Sequence, residues 1–369
     1  MKTRDEIQAE AVECIEAFRG HTVIDVSPRV GKTKIAIDYC NKSKQKNILL
    51  VYPENTLKSV WESETKKWNL SAKVTYINKV SLPKVKSFDN FDLIIVDEIH
   101  TLSPNNIKLL SKVTPHILGL SGSLSDDTLT TLRYDLNLET AFAYSIEQAI
   151  NDGIISDYEI NIHYTDLNTT DKYIDAGGKV KKFKTTEAEQ YKYLTRSFAK
   201  FKEKELYEPF PSNIKAKNIK MAIARQRKQL LATCKTKINK AKELISEEER
   251  CIVFTAYTET ADKLTKFSYH SKSKGDELDQ FQAKRINKLS VINMANAGVT
   301  FVDLKTAIFH HTTTNPETAI QKALRTMNLD PKTNKKAVIH MVVVRDTVDE
   351  NWVLSSIKMF NPNKIKIFL

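Results

Sequence analysis

Long apolar runs are missing from this chain of 369 residues. No stretch approaches the roughly 18 apolar residues that a membrane-spanning helix requires, which excludes an integral helical membrane protein. Hydrophobic residues at 41% and aromatics at 8% are instead the content of a folded, soluble globular chain. Cysteine is scarce as well: Cys14, Cys40, Cys234 and Cys251 are scattered without close pairs. No Cys/His cluster has metal-ligand spacing, which argues against both disulfides and structural zinc. An export signal is also lacking, because Met1 to Ala9 is polar and charged, with no apolar segment and small-residue cleavage site after it. A cytoplasmic location is therefore expected. Internal repeats and low-complexity tracts are absent too.

What is present is an alternation. From residue 21 to about 123, short β-rich runs separate helical stretches: His21 to Val26, Asn47 to Tyr52, Val74 to Ile77, Leu93 to Val96 and Ile117 to Leu120. Buried parallel strands read as such continuous apolar runs, and their alternation with helices predicts a doubly wound α/β sheet. The pattern resumes at Cys251 to Phe254, Ser290 to Met294, Thr306 to Phe309 and Ala337 to Val344. Between the two blocks, Thr185 to Glu249 is rich in Lys, Glu, Gln, Ala and Leu, and is expected to be helical with a break at Pro209 and Pro211. The expected organisation is a first α/β domain over residues 1–160, a basic, mainly helical linker over 161–248, and a second α/β domain over 249–369.

The charge is unevenly placed. The chain holds 57 basic and 45 acidic residues, a net of +12. From Lys179 to Lys242 there are 19 basic and 5 acidic residues, a net of +14, so the rest sums to −2. A charge run is most often a solvated face, but one set between two α/β domains suits a polyanionic partner. Lys220, Arg225, Arg227 and Lys228, in the dense stretch from Lys215 to Lys228, are the candidate nucleic-acid contacts.

Two segments carry chemistry. The apolar strand Val23 to Val26 runs into Ser27, Pro28, Arg29, Val30, Gly31, Lys32 and Thr33, followed by a helical stretch to Cys40. This is the order of a phosphate loop, in which backbone N–H groups and a helix N-terminus cradle phosphates, a lysine reaches the terminal groups and a hydroxyl holds Mg²⁺. Lys32 and Thr33 fit those roles, although Val26 stands where the full pattern has its first glycine. The second segment, Phe91 to Val96, ends in Asp97, Glu98, Ile99 and His100. Adjacent carboxylates at the C-terminal edge of such a strand lie where open α/β sheets bind ligands. Asp97 suits Mg²⁺, and Glu98 suits the orientation of an attacking water.

SPRVGKT and DEIH resemble motifs I and II of the superfamily 2 DExH-type helicases and translocases, and further segments follow that family's order. Gln8 is similar to the family's adenine-recognising glutamine. VYPENTL, with Pro53, resembles motif Ia, and CIVFTAYTETADKL, with Thr255, resembles motif IV. Ser121 and Ser123 resemble motif III, which couples the nucleotide site to the track, and His100 would contact the motif VI side of the cleft. ANAGVTF, with Gly298, resembles motif V, and Gln321 with Arg325 resembles motif VI. The resemblance implies two RecA-like domains, ATP and Mg²⁺ as ligands, Ser27, Arg29 and Gly31 as further loop contacts, and Arg325 as a finger on the transferred phosphoryl.

Two positions depart from the pattern: Asn328 stands where motif VI usually carries a second arginine, and Arg29 lies inside the phosphate loop. YSIEQAINDGIISDYEI and DTVDENW resemble elements of restriction-enzyme-type, Swi/Snf-type and phage-encoded DNA translocases. The implied partner is DNA, acted on by a monomer, in the host cytoplasm if phage-encoded. Three readings stay open from residues alone: a strand-separating helicase, a duplex translocase or annealing motor, and a DNA-binding protein with a weakened ATPase site.

Overall fold

The structure is a computed structural model that describes the whole chain except residues 28, 123, 178–181, 271–272, 274, 293–300, 302, 313–335 and 359. Ser123, Gly298, Gln321, Arg325 and Asn328 thus lie outside the described residues.

The first sheet contains β1 (Thr22–Val26), β2 (Asn47–Tyr52), β3 (Lys73–Asn78), β4 (Leu93–Asp97), β5 (His116–Ser121) and β6 (Thr140–Tyr144). Its order is β3-β2-β4-β5-β1-β6, with every pair parallel. Because strand side chains alternate faces, the continuous apolar runs feed two cores at once. Ile24, Ile48, Leu50, Ile95 and Leu118 pack with residues of α1 (Arg4–Ala17) and α2 (Lys32–Lys42), among them Ile7, Ile15 and Ile35. Val23, Leu49, Val51, Ile94 and Val96 instead meet Leu110 of α4 (Pro104–Leu110) and Leu132 and Leu136 of α5 (Asp126–Leu136). The remaining helices here are α3 (Asn55–Lys67) and α6 (Ile146–Asn151).

The second sheet is also parallel, in the order β11-β12-β10-β13-β14-β7-β15. Its strands are β7 (Tyr158–Thr165), β10 (Cys251–Thr255), β11 (Ser268–Tyr269), β12 (Lys288–Ile292), β13 (Thr306–Phe309), β14 (Ala337–Val344) and β15 (Ile365–Phe368). β7 straddles the expected boundary at residue 160 and pairs with β14 along its whole length. Its sequence, YEINIHYT, conceals this: Asn161 and His163 interrupt the apolar run, and both are buried, His163 bonding His340 across the strands at 2.9 Å.

The basic segment leaves this sheet after β7 and returns at β10. It contains a hairpin of β8 (Ile174–Gly177) and β9 (Lys182–Thr185), which precedes the stretch expected to be helical from Thr185. Then come α7 (Glu187–Tyr207), α8 (Ser212–Thr233) and α9 (Lys235–Glu247), with the break at the expected prolines. α9 packs Ile238, Ala241 and Leu244 on Val253, Ile308 and Val342 of the second sheet. The helices α10 (Thr258–Leu264), α11 (Glu277–Gln282) and α12 (Val348–Ile357) complete the described α-helices.

Candidate active site

β5 lies between β1 and β4 in the first sheet, so the loop after β1 and the acidic pair ending β4 open at the same C-terminal edge. Gly31 caps α2 with φ +103°, a conformation in which a side chain is strained. A Cβ placed there would also sit 2.5 Å from Nε2 of Gln8. Gln8 crosses from α1 to donate from Nε2 to the Val30 carbonyl at 2.6 Å, and its Oε1 is buried without a hydrogen-bond partner among the described residues. Ser27 is buried with its Oγ in the same condition. Arg29 also takes a left-handed backbone, φ +74°, and its guanidinium pKa is lowered by burial and by the nearby Arg4.

Lys32 begins α2 and reaches across to Glu98, Nζ to Oε1 at 3.2 Å, with both side chains mostly shielded from water. Glu98 has φ +48°, which is uncommon for a residue with a side chain and turns the chain sharply at the strand end. Asp97 is part-exposed at the strand tip but heavily enclosed by protein. Burial, then the charge of Glu98, push its carboxyl up to about 6, while the indole N–H of the buried Trp61 donates to Oδ2 at 2.9 Å. His100 places Nδ1 2.9 Å from the Ser121 hydroxyl. Burial drops its pKa to about 4, so the ring is neutral near pH 7 and its 3.6 Å approach to Glu98 is not an ion pair.

Asp25 and Trp61 escaped the reading of motifs. Asp25 is the one charged residue of β1; its Oδ2 accepts from the Leu124 N–H at 3.2 Å, and its Oδ1 is buried without a hydrogen-bond partner among the described residues. Burial raises its pKa, and it feels the charges of Lys32 and Glu98. A carboxylate inside an apolar strand, one turn before a phosphate loop, was the available signal. Trp61, in α3, left no such signal.

The expected nucleic-acid residues divide. Pro53 is half-buried just past β2, and Thr255 ends β10 with a buried Oγ1 that has no hydrogen-bond partner among the described residues. Arg225 is exposed on α8 and Lys228 half-buried, while Lys220 forms an ion pair with Glu205. Arg227 does not point to solvent. It is buried between α7 and α8, donates to the Tyr191 hydroxyl at 3.1 Å and stacks on the Tyr191 and Phe198 rings. It is a brace inside the helical hairpin, because two aromatic residues on α7 offer that cation more than water does.

These residues fit Mg²⁺ and a nucleoside triphosphate. A left-handed glycine leaves a cradle that a Cβ would fill, a helix N-terminus faces it, and Thr33 and Asp97 supply the hard oxygen donors that Mg²⁺ prefers. No group of three or more His, Cys, Asp or Glu side chains placed to hold a metal exists among the described residues.

Residues 236–330 match the family profile of the helicase conserved C-terminal domain, a span that includes the positions of Gln321 and Arg325. No curated protein matches the sequence. Among solved structures, S. cerevisiae Dbp5 bound to RNA and ADP BeF3 is 12% identical, with 98% of this chain and 88% of that one covered and a TM-score of 0.54. A point variant of Dbp5 with the same ligands gives the same identity and coverage and a TM-score of 0.53. The Pyrococcus furiosus Hef helicase domain is 14% identical over 96% of this chain and 97% of that one, with a TM-score of 0.49. The Dbp5 likeness and the two parallel sheets establish the fold: two RecA-like α/β domains. The class the structure defines is thus a chain of two RecA-like α/β domains, of which residues 236–330 match the helicase C-terminal profile.

Proposed function

We propose that the protein is an ATP-driven DNA motor of the superfamily 2 DExH type, coupling ATP hydrolysis to movement along DNA or its remodelling. The observation that carries this is the Lys32–Glu98 pair at 3.2 Å, which joins the phosphate loop to the acidic strand end in one site. A lysine and a glutamate that hold each other are both poised for a triphosphate. Its terminal phosphate competes for Lys32, and Glu98, released, orients and polarises the attacking water. Mg²⁺, held by Thr33 and Asp97, would neutralise charge on the phosphates. Gln8 Oε1 offers an acceptor to the amino group of adenine. From the second domain, Gln321 and Arg325 would meet the nucleotide across the cleft, with Gly298 permitting close backbone approach. His100 and Ser121, already bonded to each other, would pass the state of Glu98 toward the track, a coupling role in which Ser123 would share.

Pro53, Thr255 and the exposed basic residues of the α7–α8 hairpin would hold the DNA backbone, so that alternate closing and opening of the domains moves the chain along it. Dbp5 is a protein of this fold bound to RNA and a nucleotide; the choice of DNA for this chain rests on the translocase-like segments after β6 and β14. Lys32→Ala and Glu98→Gln should each lower ATP turnover at least about a hundredfold, with nucleotide binding kept in Glu98→Gln. Wild-type turnover in both variants would refute the assignment. A gel assay on a forked and a blunt duplex then separates a strand-separating helicase from a duplex translocase.

A further inference from the structure

The turn between α7 and α8 exposes a group of apolar side chains that the fold does not use. Leu206, Tyr207, Phe210 and Ile214 are 67%, 80%, 76% and 47% exposed, all within nine residues. Most other exposed apolar residues are scattered along the chain, which needs no explanation; a cluster of this kind does.

The hairpin that carries them is built to project. α7 and α8 have 21 and 22 residues, which makes each about 30 Å long. Their antiparallel pairing is pinned by Glu205 with Lys220 near the tip and by Arg227 with Tyr191 and Phe198 further in. The root is fixed to the second domain: Tyr191, Leu194 and Leu231 pack with Val344, and the Val348 N–H donates to the Tyr191 hydroxyl at 2.9 Å. The tip residues belong to none of the core clusters of the described residues.

Around the tip the surface is basic. Lys204 and Lys220 are neutralised by Glu208 and Glu205, but Lys202, Lys215 and Lys217 are exposed and form no ion pair among the described residues, against one such carboxylate, Glu203. Along the outer face of α8, Ile214, Lys217, Met221 and Arg225 follow helical spacing, all exposed, so apolar and cationic groups alternate on one stripe.

We propose that this tip is a base-stacking platform for single-stranded DNA: unpaired bases stack on Tyr207 and Phe210, while Lys202, Lys215 and Lys217 hold the adjoining phosphates. The proposal rests on the reading of the protein as a nucleic-acid motor. Two magnitudes favour a strand over a protein. A stable protein interface needs about 800 Å² from each partner, more than the end of two helices offers, whereas a base needs one aromatic face. A second copy of this chain would bring an equally basic segment, of net charge +14 from Lys179 to Lys242, against the first. Stacking also gives the hairpin a preference for unpaired over paired bases, which phosphate contacts alone do not provide.

The test compares wild type with Tyr207→Ala/Phe210→Ala and Tyr207→Trp/Phe210→Trp, all substitutions at exposed positions. The probes are a single-stranded oligodeoxynucleotide containing 2-aminopurine and a blunt duplex of the same length. The alanine pair should weaken single-strand binding at least about tenfold, change the 2-aminopurine signal, and leave duplex affinity and the salt dependence as they are. The tryptophan pair should bind the single strand as wild type does or better. Unchanged single-strand affinity in the alanine pair, equal losses on both probes, or a change of oligomeric state in sedimentation would each overturn the platform. If wild type binds neither probe, the motor reading itself fails, a result distinct from wild-type binding that the alanine pair retains.

Discussion

Replacing Asp97 by asparagine should stabilise the protein while abolishing its activity. The Asp97 carboxyl titrates at about 6 in the fold against a reference of 3.8. The folded state therefore holds this proton more tightly than the unfolded chain, folding takes up a proton between those values, and stability falls as pH rises through that window. Above pH 6 the penalty is complete. A difference of this size corresponds to about 3 kcal/mol, and about 1 kcal/mol is a lower bound that allows for water reaching a part-exposed carboxyl. The amide introduced by Asp97→Asn would carry no charge to desolvate and keeps an oxygen for the Trp61 indole. Thermal melts without Mg²⁺ should show the variant several degrees above wild type at pH 7.5, with the gap closing toward pH 4. With Mg²⁺ and a non-hydrolysable ATP analogue, wild type should gain stability and the variant little. A variant less stable than wild type at pH 7.5, or a gap independent of pH, would refute the claim that the carboxyl is held at a cost for the sake of metal binding.

Arg227→Ala should loosen the helical hairpin by about 2 kcal/mol in urea titrations, through loss of its stacking and hydrogen bond, with no change in the salt slope of DNA binding. Neutralising Lys215 and Lys217 should do the reverse, flattening that slope by up to about one unit per lost phosphate contact and leaving the melt unchanged. Lys237 and Asp349 are a fully buried pair at 2.5 Å, so Lys237→Ala, which strands the carboxylate, should cost about 3–5 kcal/mol, and Lys237→Met/Asp349→Asn should recover most of it by calorimetry. Arg325→Ala should lower ATP turnover and leave DNA affinity without nucleotide nearly unchanged in a filter-binding assay; a collapse of binding would make it a track residue.

The sequence exposes whatever rests on continuous patterns. β2 and β4 are nearly unbroken apolar runs, and between their terminal residues β1 and β5 are apolar but for Asp25 in one and Gly119 in the other, so the strand ends, and with them Lys32 and the Asp97–Glu98 pair, could be placed at one sheet edge from residues alone. β7 could not, because its buried His163 is satisfied by His340, a partner 177 positions away, and β15 could not, because lysine alternates with apolar residues in a short edge strand. Charge was legible as a total, but its direction was not. Arg227 and Arg225 are two residues apart on α8, yet one is enclosed by Tyr191 and Phe198 and the other faces water, a difference set by the neighbouring helix. Trp61 became a partner of Asp97 for the same kind of reason, through the packing of α3 against β2 and α2.

The most direct test of the account is ATP turnover by the purified protein with Mg²⁺, measured with and without single-stranded DNA, in wild type and Glu98→Gln. The account predicts turnover that rises saturably with DNA in wild type and falls at least about a hundredfold in the variant under both conditions. Absence of turnover in wild type, or DNA-independent turnover that Glu98→Gln leaves intact, would contradict it.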